Sequence, residues 1–273
     1  MKTLYLSDLD GTLLRSDERV SEYTTNIINR FIQNGNYFSY ATARSIVTAS
    51  KVTVGLNIEF PVICCNGAFI FKSITRDILI SNYFLSEEVK YASEVLKKYN
   101  VYPVVSAFIN GAERFAYIEK HISPATKSYL NTRSGDPRSY RANNTEELYS
   151  GDVFRISCMD TDDSLSPIKN IFQVDNRFSC IYQKAIYSGE WWCDILPVKA
   201  TKANAALQLK SMLGCDKLVV FGDEHNDLSM FEIADESYAM ANAVPKLKEV
   251  ATAVICSNDN DGVAKWIESR ILR

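Results

Sequence analysis

Two carboxylates, two positions apart, stand in the most informative stretch of this chain: Leu4-Tyr5-Leu6-Ser7-Asp8-Leu9-Asp10-Gly11-Thr12-Leu13-Leu14. Asp8 and Asp10 arrive directly after an apolar run of strand character, and Gly11 lets the chain turn behind them. In open α/β sheets, ligands bind beyond the carboxyl ends of the strands, which is where this pair falls. Carboxylates there can work as a nucleophile or as an acid and base. A bare D-x-D is as easily a solvated acidic turn, but the whole D-L-D-G-T-L-L string after a strand is much more specific.

Other chemistries find no support. His121 and His225, the only histidines, are too far apart in sequence for an H-E-x-x-H zinc site. No two of the 11 glycines have the spacing of G-x-G-x-x-G or of a Walker A loop. The seven cysteines, Cys64, Cys65, Cys158, Cys180, Cys193, Cys215 and Cys256, lie mostly in apolar runs without C-x-x-C spacing. Buried free thiols in a reducing compartment are expected, and a cytoplasmic location with them.

The elements that must position the acidic pair follow from patterning. Of 273 residues, 47% are hydrophobic and 23% charged, with a net charge of −3, enough apolar surface for a core of one large or two smaller domains. That balance offers no broad attraction for nucleic acid, and no uncharged run is long enough to span a bilayer. Thr3 to Ser7, Tyr37 to Ala41 and Pro61 to Cys65 read as strands. Ser21 to Asn34 reads as a helix, with Ile27, Ile28, Phe31 and Ile32 at helical spacing and Gly35 as its stop. The rhythm returns late in the chain: helix over Ala203 to Leu213, strands at Lys217 to Phe221, Tyr238 to Ala241 and Ala253 to Cys256, and a closing helix at Trp266 and Ile267. Alternation of this kind predicts an α/β, doubly wound, parallel-sheet core of Rossmann-like type.

Between the halves the strands lengthen and alternate, as in Val153 to Cys158, and a helix is expected over Ser86 to Tyr99. This texture predicts a half-solvated antiparallel sheet with helices on one side. The expected organisation is a discontinuous core, 1–83 with 192–273, and an inserted α+β domain, 84–191. A polar loop, Asn131 to Asn144, gathers Arg133, Arg138 and Arg141.

D-L-D-G-T-L-L resembles the first motif of the haloacid dehalogenase-like hydrolase superfamily, and later segments match the others in order. Tyr40-Ala41-Thr42-Ala43-Arg44-Ser45 resembles the second motif, Lys202 within Pro197 to Ala203 the third, and Phe221-Gly222-Asp223-Glu224-His225-Asn226-Asp227 the fourth, G-D-x-x-N-D. Asn66-Gly67-Ala68, Met240-Ala241-Asn242-Ala243 and Asn258-Asp259-Asn260-Asp261-Gly262-Val263-Ala264 add further matches. The set is similar to the Cof-type subfamily, whose large α/β cap is inserted between the second and third motifs and sets specificity.

That resemblance implies a phosphatase using Mg²⁺. Asp8 would be the nucleophile that forms an aspartyl-phosphate, and Asp10 would protonate the leaving group and then activate water. Asp8, the backbone carbonyl of Asp10 and Asp223 would hold the ion, a hard cation that favours oxygen ligands. Lys202 and Thr42 would grip the transferring oxygens, with Ala43, Arg44, Asn66, Asn226 and Asp227 around the phosphate or supporting these groups. Asp227 would orient Lys202. The rival lysine, Lys199, is less well placed before the helix, and His225 is given no role. Two positions depart from the family pattern, Ala43 and Ala203 standing where glycine is usual. The cap-loop arginines could reach a second anionic group on the substrate or could simply be solvated. The expected partner is a small phosphorylated metabolite, sugar phosphates foremost, with no nucleic acid and no membrane, and the expected assembly is a monomer or small homo-oligomer. A phosphomutase of the phosphomannomutase type and a silent metabolite-binding relative are the competing functions.

Overall fold

In the computed structural model, residues 1–184 and 189–271 are described. They divide into two compact units, Met1–Ser81 with Ala200–Arg273, and Asn82–Lys199.

The chain begins with β1 (Thr3–Ser7), α1 (Glu22–Gln33), β2 (Tyr37–Tyr40), α2 (Ile46–Val52), β3 (Val62–Cys64), β4 (Phe69–Phe71) and β5 (Ile78–Ser81). Leu4, Leu6 and Phe38 are buried, as expected of strands covered on both faces. The α1 helix buries Ile27, Ile28, Phe31 and Ile32, the predicted stripe, and the Ser21 hydroxyl caps it by accepting from the Thr24 N–H. The third expected strand forms, but most of its pairing lies elsewhere. A single parallel bridge, Ala41 to Ile63, joins its region to the main sheet, while β3 pairs antiparallel with β4.

The second unit follows with α3 (Ser86–Lys98), β6 (Val104–Ile109), β7 (Ala112–Tyr117), α4 (Pro124–Asn131), β8 (Ser139–Arg141), α5 (Thr145–Leu148), β9 (Asp152–Asp160), α6 (Asp162–Val174), β10 (Phe178–Lys184) and β11 (Trp191–Pro197). Its sheet runs β10-β11-β9-β6-β7-β8, antiparallel except for the parallel β7–β8 pair. Three expectations are corrected here. The boundary expected after 191 falls after 199, because Trp191 to Pro197 pairs with β9 and β10 rather than with the parallel sheet. Helices cover both faces of this sheet, not one: Ala92, Leu96, Leu165, Ile168 and Phe172 pack on one side, and α4 contributes Ala125 and Tyr129 to a smaller cluster with Met159 and Trp192. The Asn131–Asn144 segment is not wholly loop, since Ser139–Arg141 forms the edge strand β8.

The first unit is completed by α7 (Lys202–Met212), β12 (Lys217–Gly222), α8 (Leu228–Ile233), β13 (Glu236–Met240), α9 (Pro245–Val250), β14 (Ala253–Ile255) and α10 (Gly262–Ile271). Its main sheet is wholly parallel, in the order β14-β13-β12-β1-β2. The chain therefore winds outward from β1 to β2 on one side and from β12 through β13 to β14 on the other. All seven cysteines are free thiols; Cys256 is exposed and Cys180 half-buried, the other five buried. No helix of the described residues is long and apolar enough to cross a membrane.

Candidate active site

The point where the winding reverses lies between β1 and β12, which run in parallel register to Ser7 opposite Phe221. The Asp8 N–H donates to the Phe221 carbonyl at 3.0 Å, and beyond it the two chains diverge. A crevice at this position is where open α/β sheets bind ligands. Asp8 leaves one strand there and Asp223 the other.

Two glycines let the segments close on each other. Gly11 has φ of +72°, and a Cβ on it would lie 2.1 Å from Asp223 Oδ2. The Asp223 carboxylate thus packs over the turn after Asp8, where its Oδ1 accepts the Thr12 hydroxyl at 2.7 Å. Gly67 has φ of +93°, and a Cβ there would meet the Thr201 carbonyl at 2.2 Å. Thr201 caps α7 by accepting from the Asn204 N–H, so this approach fixes where Lys202 begins its helix.

Lys202 joins the segments. Its Nζ donates to Asp8 Oδ1 at 2.7 Å and to Asp227 Oδ1 at 2.6 Å, with the lysine side chain only 1% exposed. The other Asp227 oxygen accepts the N–H groups of Asp223 (2.9 Å) and Glu224 (3.1 Å). Both oxygens of Asp227 are thereby committed, one to the lysine and the other to the fourth-motif backbone.

The electrostatics follow from burial. Three buried carboxylates face one ammonium. Burial pushes Asp8 well above the ordinary carboxylate range; Lys202 opposes that rise, while Asp227, Asp223 and Asp10 add to it. Asp223 is pushed up to about 7 by burial and by Asp227, against the hydrogen bond from Thr12. Burial would lower Lys202, but Asp227 and Asp8 outweigh it and hold the ammonium above its usual value. Carboxylate oxygens of Asp8, Asp223 and Asp227 lie within 4.8 Å of one another. Oxygen-only donors with an excess of negative charge fit a hard divalent cation. Since Asp227 is committed elsewhere, Asp8 and Asp223 are the side chains that could hold one.

A second group surrounds this cluster. Thr42 is fully buried, and its hydroxyl accepts the Arg44 N–H at 3.1 Å, which leaves the hydroxyl proton to donate. Its carbonyl accepts the Asn66 N–H at 3.0 Å. Asn66, held at φ +55°, accepts Asn226 Nδ2 at 3.0 Å on its Oδ1, and the buried Oδ1 of Asn226 has no protein partner among the described residues. An orphaned acceptor beside the acidic cluster suits a hydrogen-bond donor brought in by a ligand or its water.

Asp10 stands apart. Its carboxylate is half exposed and lies outside the acidic trio, gripped by Arg44 Nε at 2.8 and 3.0 Å and by a third contact from Nη2. Arg44 Nη2 also reaches Glu18 at 3.0 Å, an acid to which sequence reasoning gave no role. The ligand expected from Asp10 is its backbone carbonyl, which this ion pair leaves unengaged.

Both departures from glycine are accommodated. Ala43 keeps a negative φ, and Ala203 sits inside the first turn of α7, so neither position asks for glycine's freedom. Lys199 and His225 are exposed. Thr12 was missed, although it stands within the first motif. The later motifs also acquire a role. Asn242 Nδ2 donates to the Gly11 carbonyl at 2.8 Å, while its Oδ1 accepts the Asn258 N–H at 3.1 Å. Asn258 Nδ2 donates to the Leu14 carbonyl at 3.0 Å, and Asp261 accepts Arg15, Ser21 and Thr24. These residues clamp the first-motif turn from the far end of the chain.

The fold and the acidic crevice define a class, and comparison with known proteins agrees. The family model for haloacid dehalogenase-like hydrolases matches residues 5–267. The chain is 27% identical to the 5-amino-6-(5-phospho-D-ribitylamino)uracil phosphatase YitU of Bacillus subtilis, over 96% of this chain and 94% of that one. It is 28% identical to the phosphatase YwtE of the same organism, named for the same substrate, over 96% and 95%. Among solved structures, TM0651 from Thermotoga maritima superposes with a TM-score of 0.77 at 26% identity, covering 98% of this chain and 97% of that one. The chain belongs to the haloacid dehalogenase-like hydrolase family, and within it to the phosphatases.

Proposed function

We propose that this phosphatase hydrolyses small phosphate monoesters, phosphorylated sugars and sugar-like alcohols foremost, through an aspartyl-phosphate on Asp8 with Mg²⁺ as cofactor. The observation that carries this reading is the buried Asp8–Lys202–Asp227 arrangement beside Asp223. A phosphate monoester is close to a dianion, and a carboxylate nucleophile repels it. Lys202 offers the one buried ammonium at the point of attack among the described residues. Asp8, Asp223 and the Asp10 carbonyl would hold Mg²⁺, which would supply the remaining charge neutralisation. The ribityl phosphate in the names of YitU and YwtE, a phosphorylated sugar alcohol, supports the substrate class.

On this reading the reaction runs in two halves. The free oxygen of Asp8 attacks phosphorus while the ester oxygen departs. Asp10, after exchanging its Arg44 contacts for the substrate, gives that oxygen its proton. Lys202 and the Thr42 hydroxyl hold the equatorial oxygens as charge builds on them, the term that dominates phosphoryl transfer. Asp10 next takes a proton from water, which attacks the aspartyl-phosphate, releases inorganic phosphate and restores Asp8.

The test is Asp8→Asn with Mg²⁺ and a panel of sugar phosphates. Turnover should vanish while thermal unfolding stays cooperative, and acid-quenched wild-type enzyme should carry acid-stable, hydroxylamine-labile phosphate that the variant lacks. Wild-type phosphate release by the variant would overturn the mechanism.

A further inference from the structure

The second unit contains a cavity of about 450 Å³ between α4, the turn after it, β7 and β8. Three cations line it, Lys127, Arg133 and Arg141, against a single carboxylate, Glu119. The arginines of this segment differ in how far the protein neutralises them. Arg138 is buried and spent, because it pairs with Asp136 at 2.7 Å and Glu113 at 2.9 Å. Arg141 meets Glu119 at 3.2 Å through an exposed pair, and its Nε reaches the Tyr117 hydroxyl at 3.3 Å. Arg133 makes no salt bridge among the described residues, although its charge helps hold Asp136 down from a distance. Its guanidinium lies 4.5 Å from the centre of the Tyr129 ring, and its buried Nε finds no acceptor among the described residues. A stacked guanidinium is held in place while its donors remain free. The Lys127 ammonium and Ser134 hydroxyl on the same wall also have no protein partner among the described residues.

We propose that this cavity binds a phosphate group, with Arg133 and Arg141 as its principal donors and Lys127 as a further positive charge. Phosphate suits the site because arginine presents paired N–H groups at the spacing of phosphate oxygens, and because a dianion answers the surplus of cations. The walls lie wholly in the second unit, so occupancy does not depend on the chemistry at Asp8. The phosphate can belong to a substrate carrying a second phosphoryl group or to a separate small ligand; both present the same oxygens.

Inorganic phosphate is the probe, titrated into the ¹⁵N-labelled full-length protein and followed by amide NMR. Saturable shifts are expected at Ser134, Gly135 and Ser139, separate from those at the Asp8 crevice. In Arg133→Gln/Arg141→Gln, phosphate should bind the cavity about tenfold more weakly or not at all, with crevice shifts kept. Arg141→Gln alone, at an exposed position, should give a partial loss and guards against misfolding of the double variant. Absence of cavity shifts in the wild type, or undiminished shifts in the folded variants, would overturn the proposal. Kinetics separate the two sources. If the substrate supplies the group, KM for a sugar bisphosphate rises in the variants while KM for the monophosphate and kcat stay put. If a separate ligand supplies it, both KM values stay put while the NMR loss persists.

Discussion

Lys202→Met is the most informative single perturbation, because it removes the ammonium and keeps most of the side-chain volume. In the native site that ammonium contacts Asp8 and Asp227 at 2.7 and 2.6 Å with 1% of its side chain exposed. Without it, three buried carboxylates face one another unopposed. Stripping one partner from a buried ion pair costs about 3–5 kcal/mol, and the surplus of acids here places the expected loss at the upper end. Urea unfolding at pH 7 should show that loss. At pH 5 it should shrink, because Asp223, already pushed up to about 7, and Asp8, raised by burial, can then take up protons in the folded state. Adding millimolar Mg²⁺ at pH 7 should restore part of the stability by supplying positive charge at the same place. Turnover should fall roughly 10²–10³-fold, the usual consequence of deleting one donor to a developing oxyanion. A variant within about 1 kcal/mol of wild type at pH 7, with no recovery at pH 5, would refute the charge-balance argument.

The remaining predictions separate catalytic from structural roles. Asp10→Asn breaks a half-exposed pair, so stability should change by less than about 1 kcal/mol while single-turnover rates of aspartyl-phosphate formation and breakdown both fall about 10²–10⁴-fold. Gly67→Ala should destabilise by about 2–4 kcal/mol in thermal or urea unfolding, since it adds left-handed strain to a clash with the Thr201 backbone that displaces Lys202. The Arg138 hydrogen bond holds Asp136 down at about 2, below its unfolded value near 3.8. Its stabilisation is therefore complete well above pH 4 and lost as pH falls through 2, so Asp136→Asn should cost about 1 kcal/mol at pH 7 and only a small remnant of that at pH 2, read by urea midpoints.

Much of the core was legible because its signals are local. Most main-sheet strands are short apolar runs, β13 with its leading Glu236 and Ser237 being the weakest, and the residues that follow β1 and β12 are acids joined to glycines. Open α/β sheets bind ligands beyond their strand ends, and with the motif resemblance this put Asp8 and Asp223 at one sheet edge, while the strand order itself came from the structure. The domain boundary was less legible: Trp-Trp-Cys-Asp-Ile-Leu-Pro is equally apolar whichever sheet receives it, and only pairing with β9 assigns it to the second unit.

The chain's own order of residues determined its family, its parallel sheet and the chemical types gathered at the strand ends, because periodicity and strand-end composition depend on neighbours in sequence. Tertiary structure decided which charge meets which. Lys202 joining Asp8 across 194 positions, Arg44 taking Asp10, Asn242 and Asn258 bracing the first turn, and Arg133 stacked on Tyr129 with no salt bridge among the described residues all depend on distances in space. Electrostatic and hydrogen-bond energies fall away within a few ångströms, a scale that spacing along the chain does not measure.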